Sequence, residues 1–363
     1  MDRASDKLEN AATSRDDIAI WLFTSGSTGH PKAAVHLQHD LPYNTEHYAK
    51  QVLGINASDV TLSVPKLYFG YATGTNLLFP FAVGGATALF AERSTPETMF
   101  QMIHHYRPTM LTTVPTMING MLQVEGALDR YDLSSLRFCV SAGEALPPEL
   151  YNRWMETYGV EILDGIGSAE MFHIYITNYP GDVKLGSLGK VVPGYEARIV
   201  NAEGNEVPTG EMGTLKVKGD SAALCYWSAH EKSKATFAGD WCTSGDQFRV
   251  DDQGYYWYCG RTDEMLKVGG IFVSPTEIEN CLLEHEAVRE CAVIGAPDDQ
   301  KLIKPKAFVV LSEGLSPSAE LESELKEFVK RSLAVYKYPR WVEFREELPK
   351  NDRGKIDRRA LKG

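Results

Sequence analysis

Between residues 18 and 165 the chain alternates short, uninterrupted apolar runs with longer stretches of helical character, and this rhythm restricts its fold more than any other feature. Ile18 to Phe23, Thr61 to Val64, Thr109 to Val114, Leu136 to Ser141 and Val160 to Leu163 are short and rich in β-branched or aromatic residues, so they read as buried strands. Pro96 to Tyr106 and Pro147 to Tyr158 read as helices between them. Such alternation predicts an α/β class with a mainly parallel sheet, helices on its faces and ligands at the carboxyl ends of its strands. Two loops of small residues fall at such ends: TSGSTGHPK at 24–32 and GIGSAE at 165–170.

From about Gly194 the pattern changes to short strands with Gly and Asp-Gln-Gly turns (YEARIV, GTLKVKG, FRVDDQGYYWYCGR), which predicts an antiparallel, partly barrel-like unit. Beyond GRTDEMLKVGG the sequence reads as a compact α+β unit. It has helices at Ser274 to Glu284 and Ser318 to Leu333, and strands at Glu290 to Ile294, Ala307 to Leu311 and Trp341 to Phe344. The expected division is therefore 1–262, with an α/β part at 1–193 and a β-rich part at 194–262, followed by a C-terminal domain at 263–363.

Composition excludes several classes of function. A net charge of -12 argues against nucleic acid or an anionic membrane as the main partner, so any phosphate ligand must be held locally. No apolar run approaches the length of a membrane span, and the polar start lacks the apolar core of a signal peptide; a cytoplasmic location is the resulting expectation. The six cysteines form no C-x-x-C pair, and the adjacent His104 and His105 would diverge on a helix, so neither zinc nor redox chemistry is indicated.

The 24–32 loop has the chemistry of a phosphate cradle. Gly26 and Gly29 permit close backbone approach, Ser25, Ser27 and Thr28 supply hydroxyls, and Lys32 supplies charge. It is not a Walker loop, since only Ser27 and Thr28 separate its glycines, and taken alone it could equally be a surface turn. Four further stretches accompany it in order: DGIGSAEM (164–171), TSGDQF (243–248), GRTDEMLKVGGIFVSPTEIE (260–279) and PKNDRGKIDR (349–358). With these five stretches the chain resembles the acyl-adenylate-forming superfamily of AMP-binding enzymes. PKLYFGYATG, SAGEALP, DGIGSAEMFHI and YWSAHEKSKATFAGDWCTSGDQF further resemble benzoate-type aryl-CoA ligases.

The resemblance implies activation of a small carboxylic acid by ATP and Mg2+, followed by transfer to coenzyme A. It places Thr24, Ser25, Gly26, Ser27, Thr28, Gly29, Lys32, Asp164, Gly165, Ser168, Asp246 and Arg261 around the nucleotide. Glu170 corresponds to the Mg2+ ligand, although alone it would read as a helix-capping glutamate. Ala169 replaces the threonine usual before that glutamate, which removes a hydroxyl from the phosphate side. Asp246 and Arg261 match a ribose-binding pair, whereas singly each reads as a surface polar group. Lys355 matches the lysine of the adenylation step, a point charge able to bridge carboxylate and α-phosphate; without the resemblance it reads as part of a basic tail.

Asp263 corresponds to a hinge, with Lys267, Gly269 and Gly270 on the face offered to coenzyme A after rotation of a mobile C-terminal domain. Tyr68, Phe69, Tyr71, Ala142, Gly143, Ile166, Gly167 and His173 correspond to the surroundings of the acid, where an apolar wall suits a flat ring; each could also be core. Only 24 residues precede Ser25, so most of the family's N-terminal lobe is expected to be absent, exposing apolar surface that a second copy of the chain could cover. Three alternatives stay open: an inactive nucleotide-binding module derived from a ligase, an adenylating enzyme that loads a carrier protein, and a medium-chain acyl-CoA synthetase.

Overall fold

The computed structural model describes residues 7–25, 31–262, 264–268, 271–350, 356–358 and 360–362, with Ser25 described in its backbone only. The chain begins with a hairpin. Strand β1 (Ile18–Ser25) pairs antiparallel with β2 (Pro31–Leu37), in a register that sets Thr24 opposite Lys32. The two-residue strand Cys225–Tyr226 lies along the other side of β2. This arrangement corrects the expectation of a buried strand in the parallel sheet. β1 is the edge of a separate antiparallel sheet, and Trp21 (43% exposed) and Phe23 (70% exposed) face outward. A six-residue apolar run has two faces, and only tertiary structure decides that one of them stays uncovered.

The central sheet has seven strands. β3 (Val60–Ser63), β4 (Ala86–Ala88), β5 (Met110–Thr113), β6 (Phe138–Ala142) and β7 (Glu161–Gly167) run parallel, as the alternation predicts. β8 (Ile174–Thr177) and β9 (Lys190–Val191) then return antiparallel at the β7 edge. Along β6 the period of two divides the side chains between two cores. Phe138, Val140 and Ala142 join Tyr48, Phe79 and Leu163 on one face, and Cys139 joins Phe100, Ile103 and Trp154 on the other.

The helices follow their local signals. Pro96–Tyr106 starts with Thr95 accepting from the Thr98 N–H, and Pro148–Tyr158 stops at Gly159 with φ 67°. Each buries a stripe against the sheet, Phe100 and Ile103 in one and Leu150 and Trp154 in the other.

The β-rich unit comprises β10 (Glu196–Val200), β11 (Gly213–Lys218), β12 (Cys225–Tyr226, the strand beside β2), β13 (Phe237–Ala238), β14 (Trp241–Val250) and β15 (Tyr256–Arg261). All but β12 form one antiparallel sheet, as expected from the turn pattern. The C-terminal part holds the hairpin β16 (Leu266–Val268) and β17 (Ile271–Val273), helices Pro275–Leu283 and Ala319–Ser332, and the sheet of β18 (Val288–Pro297), β19 (Ile303–Leu311) and β20 (Trp341–Phe344). Its core, from Leu266 to Val342, is separate from the two cores of the central sheet. All six cysteines are free thiols, and no described helix is long and apolar enough to cross a membrane.

The β7–β8 hairpin explains two glycines. A methyl group at Gly167 would lie 2.5 Å from the His173 carbonyl oxygen, and one at Gly165 would lie 2.7 Å from that of Ile176. Backbone leaves no room for either. Gly167→Ala is therefore expected to lower the unfolding free energy by about 3 kcal/mol, read as a shift of the urea midpoint; an unshifted midpoint would show that β8 can move aside.

Candidate active site

The site assembles where the first hairpin, the β7–β8 turn and the β-rich unit meet. Gly26, Ser27, Thr28 and Gly29 of the small-residue loop lie outside the described residues, but β1 and β2 fix both of its ends. Lys32 leaves the loop on β2, half-buried, with Nζ 4.0 Å from the centre of the Tyr226 ring. Burial lowers its pKa, and the nearby Glu170 carboxylate works against that shift.

Glu170 stands at the tip of the β7–β8 connection, in a single 3-10 turn, Ala169–Met171, that follows the extended Ser168. Its Oε1 accepts from the Tyr226 hydroxyl at 2.5 Å, and its backbone carbonyl accepts from Ala223 N at 2.8 Å. Tyr226 thus touches both Lys32 and Glu170. It opens one of the stretches singled out above, yet a lone tyrosine carries no sequence signal for this role. Burial and the adjacent carboxylate both raise its pKa, so it remains a donor.

Asp246 and Arg261 are directly opposed across β14 and β15, with Arg261 Nη1 3.7 Å from Asp246 Oδ1. Their separation in sequence becomes adjacency because these strands form one antiparallel ladder. Gly245 makes room for the guanidinium: a methyl group there would lie 2.9 Å from Arg261 Nη2. Lys32 feels the charges of both Glu170 and Arg261, and buried Tyr175 feels those of both Asp246 and Glu170. Lys32, Glu170, Asp246 and Arg261 therefore share one electrostatic neighbourhood.

The residues expected around the acid fall into distinct places. Tyr68 is 79% exposed, its ring 4.7 Å from that of Phe69, which places it at the surface instead of in an apolar wall. Tyr71 packs 5.4 Å from His173, which also meets the rings of Tyr48 and Phe79. His173 Nε2 donates to the Tyr71 carbonyl at 2.9 Å, and burial pushes the ring pKa down to about 4, so it is a neutral imidazole near pH 7. Gly74 shapes its berth, because a methyl group there would lie 2.4 Å from the ring. Ala142 is buried at the end of β6, and Gly143 turns the chain with φ 93°. Ile166 is partly buried against the same core as Tyr71.

Asp263, Gly269, Gly270 and Lys355 lie outside the described residues. Lys267 is exposed on β16, opposite Phe272. The described residues that follow Lys355 are anchored: Ile356 bridges Lys350, Asp357 N donates to the Pro349 carbonyl at 2.8 Å, and Arg358 Nη2 donates to Glu279 Oε2 at 2.7 Å.

Asp164 is buried beneath the 141–147 loop, accepting from Leu146 N at 3.2 Å. Burial pushes its pKa up to about 7, against the hydrogen bond from Leu146. The folded state thus binds this proton more tightly than the unfolded chain, whose aspartate titrates near 4. The resulting stability is full below about pH 4 and is lost as pH rises through 7. Asp164→Asn is expected to remove that decline, so urea titrations from pH 4 to 8 should show wild type losing stability relative to the variant; parallel curves would show that Asp164 stays ionised throughout.

The family model for AMP-binding enzymes matches residues 2–227, and that for the AMP-binding enzyme C-terminal domain matches residues 277–355. Benzoate–CoA ligase of Thauera aromatica is 48% identical over 359 residues, 99% of this chain and 68% of that protein. The 4-hydroxybenzoate–CoA/benzoate–CoA ligase of Rhodopseudomonas palustris is 42% identical over 97% of this chain and 65% of its own length. The chain thus spans about two thirds of these relatives. Among solved structures, the anthranilate CoA ligase AuaEII in complex with anthranoyl-AMP superposes with a TM-score of 0.93 at 45% identity, over 98% of this chain and 69% of that one. A benzoate CoA ligase from Burkholderia xenovorans LB400 gives 0.91 at 45% identity, over 100% and 72%. Five separated motifs, a shared fold and near-complete alignment lead to one conclusion: this chain belongs to the AMP-binding enzyme family.

Proposed function

We propose that the chain activates a benzoate-like aromatic acid with ATP, forming an acyl-adenylate and pyrophosphate, and then transfers the acyl group to the thiol of coenzyme A. The meeting of Lys32 and Glu170 at Tyr226, in the same electrostatic neighbourhood as the Asp246–Arg261 pair, carries this reading. The relatives that are benzoate, hydroxybenzoate and anthranilate CoA ligases support the choice of acid.

Attack of a carboxylate on the α-phosphate brings two anions together, so the protein must position them and neutralise the growing charge. In this reading the loop of residues 24–29 cradles the leaving phosphates and Lys32 offsets their charge. Glu170 fits a hard cation shared with the nucleotide. Its Oε2 has no partner among the described residues, and no three acidic, His or Cys side chains there gather into a closed cage. A single carboxylate matches Mg2+, which retains waters and phosphate oxygens as its other ligands and would screen the phosphate charge.

Asp246 accepts from the ribose hydroxyls and Arg261 adds directional donors beside it. Asp164, Gly165 and Ser168 border the nucleotide on the β7 side. The acid's ring lies along Tyr71, Phe69, Ala142, Gly143, Ile166 and Gly167, with His173 as a neutral support behind Tyr71. Lys355 reaches the reacting carboxylate and α-phosphate. The separate C-terminal core supports a mobile domain from residue 263, whose rotation at Asp263 withdraws Lys355 and presents Lys267, Gly269 and Gly270 to coenzyme A.

Pyrophosphate exchange tests the first half-reaction. Benzoate with Mg2+ should drive labelled pyrophosphate into ATP without coenzyme A, and added coenzyme A should yield benzoyl-CoA by mass spectrometry. No exchange with benzoate or hydroxy- and aminobenzoates, from folded protein, would reject the adenylating reading. A carrier-protein thioester without benzoyl-CoA would change the acceptor. Lys355→Ala should slow exchange by about a hundredfold or more while ATP binding persists; unchanged exchange would remove Lys355 from the step.

A further inference from the structure

The short turn that carries Glu170 is strained. Phe172, two residues on, is 2% exposed and adopts φ 69° and ψ -54°, while His173 N donates to the Met171 carbonyl at 2.9 Å across it. This is a γ-turn of the disfavoured hand, a conformation costing about 1–3 kcal/mol that persists only where its surroundings over-determine it.

Three successive carbonyls of the turn each receive a donor from a distant part of the chain. Ala169 O faces His36 Nε2 at 2.7 Å, Glu170 O accepts from Ala223 N at 2.8 Å, and Met171 O accepts from the Ser221 hydroxyl at 2.8 Å. His36 is itself braced. A carbonyl oxygen can only accept, so Nε2 carries a proton, and Nδ1 shares one with Asp40 Oδ2 at 2.7 Å. Both side chains are fully buried, and Asp40 also accepts from Leu37 N at 3.1 Å, with His39 Nδ1 2.8 Å from its other oxygen. The His36 ring meets Phe172 edge-on at 5.7 Å, so it touches the strained residue as well as the peptide bond preceding Glu170.

We infer that His36, backed by Asp40, and Tyr226 are positioning residues that aim the Glu170 carboxylate at the phosphate-bound cation, one gripping the backbone of the turn and the other the carboxylate itself. The inference rests on the reading of Glu170 as that cation's ligand. β2 couples the two sides, because Lys32 and His36 lie four residues apart and so point to one face of the strand. The strand that leads Lys32 from the phosphate loop therefore also sets where Glu170 stands. None of His36, Asp40 and Tyr226 reaches the reacting atoms in this account.

Metal–nucleotide coupling separates aiming from mere folding. The readout is the ratio of ATP dissociation constants without and with saturating Mg2+, measured by calorimetry on the whole chain, alongside the thermal midpoint. Tyr226→Phe retains the ring under Lys32 and removes only the hydroxyl. It should reduce that ratio about tenfold and leave metal-free ATP affinity unchanged, the size of loss typical when a ligand's supporting hydrogen bond is removed. His36→Ala should reduce it similarly; should that variant fail to fold, Tyr226→Phe decides alone. A folded Tyr226→Phe protein with the wild-type ratio overturns the inference while the functional reading stands. Wild-type protein that binds no ATP overturns the functional reading, and the inference with it.

Discussion

The change from parallel to antiparallel pairing at the edge of the central sheet is the constraint on which the site depends. β7 must hand the chain to β8 within six residues, Ser168 to His173. The two strands then lie so close that Gly165 and Gly167 face backbone where a side chain would otherwise be. A connection this short cannot relax, so it closes through a 3-10 turn and a γ-turn and projects Glu170 from its tip. The acidic group thereby sits on rigid backbone.

The cationic side is built on a second hairpin of a different sheet. β2 carries Lys32 at its start and buried His36 near its end, and a peptide hydrogen bond from Leu224 N to Val35 O at 2.8 Å brings the β-rich unit alongside. Three polypeptide layers meet within a few residues, and opposite charges face one another across the junction. For a reaction that gathers anions, such an arrangement provides fixed countercharge before any substrate arrives. The orienting groups are buried, while Lys32 and Glu170 are only half-buried and remain accessible to a ligand.

Much of this was legible in the sequence because it depends on local chemistry. Helix Pro96–Tyr106 and strand Trp341–Phe344 have the bounds expected from pattern and punctuation alone. The parallel order of β3, β5, β6 and β7 follows from strands separated by helical stretches. Asp246 and Arg261 were legible as members of motifs, and the β14–β15 ladder supplies the reason for their contact. The partner of β1 was not legible: Ile18 to Phe23 is apolar throughout, and nothing local distinguishes a strand covered on both sides from an edge strand with Phe23 in solvent. The exposure of Tyr68 was not legible for a related reason, since an aromatic residue beside other aromatics carries no sign of which way its backbone turns it.

Residue chemistry and spacing by themselves determined the α/β class, the switch to β-rich structure after Gly194 and the phosphate-cradle character of the loop that ends in Lys32, whereas Glu170, Asp246 and Arg261 became candidates only through the motifs that resemble the family. The elements follow from periodicities of two and 3.6, and the cradle from the hydroxyls, glycines and charge of one short loop, none of which depends on distant contacts. Only the tertiary structure decided that Tyr226 joins Lys32 to Glu170, that His36 and Asp40 brace a turn 133 residues from His36, and that His173 is a neutral imidazole held by the Tyr71 carbonyl. Each of these is a contact between remote segments whose desolvation and hydrogen-bond partners exist only once the sheets have packed, so no local pattern can encode it.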